Sequence, residues 1–102
     1  MQDIPVKPKL HIFVCTNDRT EIEGNIKPSC APTITKEQVK EVKQWIATQG
    51  LVGKVFCTAT HCLGFCSPKG GNACAWPAGR YVQGLQKTED IKQFILEELK
   101  KV

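Results

Sequence analysis

No stretch of this chain approaches the roughly 20 consecutive apolar residues that a membrane span needs. Residues Met1 to Pro8 lack the apolar core and small-residue cleavage site of a secretory signal. The expected compartment is therefore the cytosol, where cysteines stay reduced and a disulfide scaffold is a poor fit. Basic runs and aromatic ladders are missing as well. The formal charge of +4 is spread through the helices, so no nucleic-acid partner is expected. The C-x-x-C pair of thiol–disulfide enzymes is absent from its usual place after the first strand, at the head of the first helix. Internal repeats, low-complexity tracts and a composition break that would mark a second domain are also lacking.

What the chain does have is cysteine, six in 102 residues, with a 41% apolar content ordinary for a folded core. Residues 1–8 read as a flexible, proline-punctuated tail, and residues 9–102 as one domain. Lys9 to Val14 is a short strand, β-branched and aromatic toward its end. The 19 residues from Thr16 to Ile34 form a mostly polar loop, long enough to suggest a functional role. Thr35 and Gln38 make a capping box that starts a helix near Lys36. Val39, Val42 and Ile46 are its buried stripe, and Gly50 is its stop. Val52 to Thr58 reads as a second strand centred on Val55 and Phe56. Ser67 to Asn72 is a turn, followed by a hairpin of Ala73–Trp76 and Arg80–Leu85. A last helix has Thr88 as N-cap and Ile91, Phe94, Ile95 and Leu99 as its core face. The order strand, helix, strand, hairpin, helix predicts a right-handed β-α-β crossover followed by the hairpin and C-terminal helix. The economical solution is a four-stranded mixed sheet with two helices, an α/β fold of thioredoxin-like architecture.

In such a sheet, ligands gather beyond the carboxyl ends of the parallel strands. Cys15 closes the first strand, and Cys62 and Cys66 follow the second. Cys30 lies in the loop leaving the same end. Residues i and i+4 share a helical face, so Cys62 and Cys66 suit a single helical turn. Four converging thiolates make a metal site. Gly64, Gly70 and Gly71 let the backbone turn N–H donors inward, which suits an anionic centre. Leu63 and Phe65 either restrict water there or simply pack beneath a loop.

The segments His11-Ile12-Phe13-Val14-Cys15-Thr16-Asn17-Asp18-Arg19, Ser29-Cys30 and Cys62-Leu63-Gly64-Phe65-Cys66-Ser67-Pro68 together resemble the thioredoxin-like [2Fe-2S] ferredoxins. Gly71 to Tyr81 looks like that family's hairpin. The resemblance implies a [2Fe-2S] cluster on Cys15, Cys30, Cys62 and Cys66. It also implies one-electron transfer between redox partner proteins, no catalysed reaction, and a possible homodimer. The 14 residues between Cys15 and Cys30 exceed the family's usual interval. A related domain of respiratory NADH dehydrogenases and hydrogenases has a much shorter one, which sets this chain apart from it. Family members are often acidic, whereas this chain is basic.

Cys57 and Cys74 fall inside strands and read as core thiols. A plant-type run through Cys57, Cys62 and Cys66 has the wrong second interval. His11 and His61 are not expected to bind metal. Asp18, Arg19, Lys27 and Lys69 should surround the mouth of the site, as solvated loop charge or as a docking surface. Trp45 and Trp76 read as packing residues, with a dimer face as a second role for Trp76. Three other functions remain open at this level. One is a zinc-stabilised interaction module, although only Cys62 and Cys66 are closely paired. The others are a thiol–disulfide redox protein and a regulatory domain that has lost its cluster.

Overall fold

The computed structural model describes residues 1–20, 22–25 and 27–102; Glu21 and Ile26, in the expected long loop, lie outside the described residues. Six elements follow in order: β1 (Leu10–Cys15), α1 (Lys36–Thr48), β2 (Val55–Thr60), β3 (Gly71–Trp76), β4 (Arg80–Leu85) and α2 (Thr88–Leu99). The strands form one four-stranded sheet in the order β2-β1-β3-β4. β1 and β2 are parallel, while β1 with β3 and β3 with β4 are antiparallel. This is the mixed α/β sheet expected from the sequence.

The register divides the sheet into two unlike faces, because successive side chains on a strand alternate. Leu10, Ile12 and Val14 of β1, Val55 and Cys57 of β2, and Ala73 and Ala75 of β3 join one buried cluster. Val39, Val42 and Ile46 of α1 and Ile91, Phe94 and Ile95 of α2 complete it, so both helices cover the same face. Each fully buried Leu, Ile or Phe contributes about 1.5–3 kcal/mol. The opposite face presents aromatic side chains, with Phe56, Trp76 and Tyr81 exposed and the His11 ring stacked on Phe13 at 4.0 Å.

The helix starts follow from capping chemistry. The Gln38 N–H donates to Thr35 Oγ1 at 3.3 Å, and the Thr35 N–H donates to Gln38 Oε1 at 2.6 Å. Those two bonds are the expected box around the first turn of α1. At α2 the N-cap is Lys87 and not Thr88, which is the first helical residue. There the Asp90 carboxylate accepts from the N–H groups of Gln86 and Lys87, at 2.8 and 3.3 Å. An acidic side chain in the first turn replaces the hydroxyl cap.

Several boundaries and assignments differ from expectation. β1 includes Cys15, and β2 runs from Val55 to Thr60 because residues 52–54 turn. With Val55 and Cys57 facing the helices, Phe56 points to the open face and is 38% exposed. β3 begins at Gly71, which takes Gly71 and Asn72 out of the expected turn. A Cβ on Gly71 would run into Ile34, so close packing there requires glycine. Trp45 packs at the margin of the core, but Trp76 is exposed and is not a packing residue. On α2, Leu99 lies at the core's edge and the buried position belongs to Glu98.

Candidate functional site

Hydrogen bonding fixes the carboxyl ends of β1 and β2 side by side, with Cys15 opposite Thr60. The Thr16 N–H continues the ladder to the Thr60 carbonyl at 2.9 Å. The long loop after β1 is tied back by the Ala31 N–H, which donates to the Asn17 carbonyl at 3.0 Å. This closure returns Cys30 to the end of the strand it left. The Ile34 N–H bonds the Cys30 carbonyl at 2.8 Å, and Ile34 sits in the core. Cys15 and Cys30 are fully buried, Cys66 is half-buried and Cys62 is exposed.

Residues 62–66 are irregular and do not form the helical turn expected of them. Gly64 has φ of +95°, a conformation that breaks a right-handed turn and favours glycine. The sulfurs still meet. Cys66 Sγ is the hub, 3.7 Å from Cys15, 3.6 Å from Cys30 and 3.6 Å from Cys62. Cys15, Cys30 and Cys66 form a set in which every pair of sulfurs lies within 4.8 Å. Cys62 stands outside that set and reaches it through Cys66.

One main-chain and one side-chain donor reach the exposed sulfur. The Gly64 N–H points at Cys62 Sγ from 3.2 Å, and Arg19 Nη2 reaches the same sulfur at 3.5 Å. Arg19 also donates to the Pro28 carbonyl, which braces the long loop against the second cysteine segment. Cys15 is pulled down to about 5 chiefly by its hydrogen bond with Cys30, and also by the N–H groups of Asn17 and Leu63. Cys30 is pushed up by that same bond and by burial, while the Asn72 N–H opposes the rise. The Gly64 N–H leads in lowering Cys62, and burial leads in raising Cys66. Two of the sulfurs are shifted toward losing their protons and two toward keeping them. A cationic centre displaces such protons and takes all four as thiolates.

The donor set is purely sulfur, which suits zinc or an iron–sulfur cluster. A tetrahedral zinc with Zn–S near 2.3 Å requires all six sulfur separations to be about 3.8 Å. The 3.6–3.7 Å separations about Cys66 lie near that spacing, and the all-thiol set suits either centre. The residues fit a cluster in one further respect: Asn72 is buried, yet among the described residues both polar atoms of its side chain lack partners.

The remaining residues take other roles. Cys57 and Cys74 are buried in strands, and burial pushes the Cys57 thiol up to about 12. His11 Nε2 is engaged with Thr58 Oγ1 at 2.8 Å. Asp18 accepts from the Thr20 N–H at 2.8 Å. Phe65 is exposed, with its ring 5.4 Å from Tyr81, so it packs on the open sheet face instead of lying beneath the loop. Asn72 escaped sequence reading because Gly70-Gly71-Asn72 looks like a turn. Its place at the Cys15 end of β1 appears only once β3 is paired.

No protein-family model and no curated protein matches this sequence. Solved structures do. The fold is similar to that of the wild-type thioredoxin-like [2Fe-2S] ferredoxin from Aquifex aeolicus, with a TM-score of 0.71 and 27% identity over 92% of this chain and 88% of that one. A cysteine-to-serine variant of the same ferredoxin aligns with a TM-score of 0.73 and 27% identity, over 90% of this chain and 88% of that one. A further structure of a thioredoxin-like [2Fe-2S] ferredoxin from Aquifex aeolicus gives 0.72 and 26%, over 93% and 84%.

Proposed function

We propose that this protein is a one-electron carrier whose residues 9–102 hold a [2Fe-2S] cluster on the thiolates of Cys15, Cys30, Cys62 and Cys66. The observation that carries the reading is the meeting of four sulfurs drawn from three separate segments of chain. When bound, such a cluster takes up and returns a single electron at a potential set by its surroundings. The rest is the work of the protein. Burial of Cys15 and Cys30 keeps water from one side of the site. The Gly64 N–H aims its positive dipole end at the Cys62 sulfur, which offsets negative charge and eases the reduced state. Arg19 adds a full positive charge at the exposed sulfur of Cys62.

The exposed Cys62 edge is the side on which redox partner proteins dock, and no substrate is transformed in this reading. Among the described residues no helix is long and apolar enough to cross a membrane. The carrier is assigned to the cytoplasm on the same reading. The helix-free face with exposed Trp76 and Tyr81 supports a homodimer as part of the proposal. Cysteine substitution tests the ligand set. Cys62→Ala and Cys66→Ala should each abolish the visible absorption of anaerobically purified protein, and Cys57→Ala should leave it unchanged. Retained absorption after Cys62→Ala would remove that residue from the site.

A further inference from the structure

One polar side chain is left without a task by the four cysteines. Asn72 is 2% exposed, and among the described residues neither its Oδ1 nor its Nδ2 has a hydrogen-bond partner. A buried carboxamide in that state carries a desolvation penalty that nothing in the protein offsets. Asparagine is also depleted from strands, and the next three residues of β3 are Ala73, Cys74 and Ala75. Its placement is informative. Phe13 pairs with Cys74 and Val14 with Ala73, so the next antiparallel position sets Asn72 against Cys15 on the same face of the sheet. The orphaned amide therefore belongs to the strand end that carries the buried Cys15.

We propose that the Asn72 carboxamide is a non-ligating member of the site, a positioning residue whose Nδ2–H donates to the sulfur of the group bound by Cys15, Cys30, Cys62 and Cys66. The proposal rests on the carrier reading above. A donor at this depth stabilises the more negative, reduced state and helps to orient the group. In the protein without its cluster the same amide is a liability.

Those two statements have opposite signs, which makes the role testable. Asn72→Leu keeps the approximate volume and removes the donor; Asn72→Val, a β-branched strand former, serves if leucine prevents folding. Two measurements are made on each variant and on the wild type: the reduction potential of the anaerobically loaded protein, and urea unfolding of the cluster-free protein. Loss of the donor should shift the oxidised-to-reduced ratio about tenfold toward oxidised, a fall of 59 mV for one electron. The cluster-free variant should be at least as stable as the wild type. A loaded variant with unchanged potential and a weakened cluster-free fold would overturn the assignment of Asn72 alone. A wild-type protein purified with neither iron nor sulfide would overturn the carrier reading and this proposal with it.

Discussion

Arg19 shows how much one side chain at this site is asked to do. Its guanidinium touches Cys62 Sγ and the Pro28 carbonyl, so it supplies charge to the exposed sulfur and braces the loop that carries Cys30. Arg19→Gln should lower the reduction potential and should speed bleaching by an iron chelator several-fold. Arg19→Lys restores the charge without the two-pronged donor, and should recover the potential better than the bleaching rate. Equal behaviour of the glutamine variant and the wild type in both measurements would leave Arg19 as solvated loop charge. The sequence marked Arg19 for the mouth of the site, and it marked all four cysteines, because each is tied to the carboxyl end of a strand. It gave no sign of Asn72 or Glu98. Burial of a polar side chain depends on what tertiary structure sets against it, and local pattern does not record that.

Among the elements, the joint between β4 and α2 carries the least expected chemistry. Glu98 is 1% exposed and accepts from Arg80 at 3.1 Å and Lys101 at 2.8 Å. The Arg80 guanidinium also lies 5.3 Å from the centre of the Phe94 ring. Burial alone would raise the Glu98 carboxyl, but Lys101 and Arg80 outweigh it and hold it below the usual carboxylate range. A carboxyl lowered in the folded state stabilises the fold above its unfolded pKa, and that contribution disappears as pH falls through the folded value. Glu98→Gln should therefore cost about 1–2 kcal/mol at neutral pH, discounted because Arg80 and Lys101 stay partly in water. The variant should also lose part of the acid-side decline seen in wild-type urea midpoints. An unchanged acid-side slope would show that Glu98 does not drive it. Element order and helix faces were legible from periodicity and capping. The strand limits were not, since β2 starts only where pairing with β1 begins, and the turn expected over residues 62–66 fails at Gly64.

Across the whole molecule, the fold divides its labour between the two faces of one sheet. Two helices seal one face with an apolar core, and the other face keeps exposed aromatics. Cys15 ends the strand that runs between β2 and β3, so the site is anchored to the most fully paired strand of the sheet. Main-chain bonds then hold the loop that brings Cys30 to it, and Arg19 links that loop to Cys62. That arrangement combines a buried side with an accessible edge, which suits the proposed electron carrier. The decisive measurement is the content of iron and acid-labile sulfide in protein purified without oxygen from iron-replete cells. About two of each per chain are expected. One zinc per chain without sulfide would contradict it.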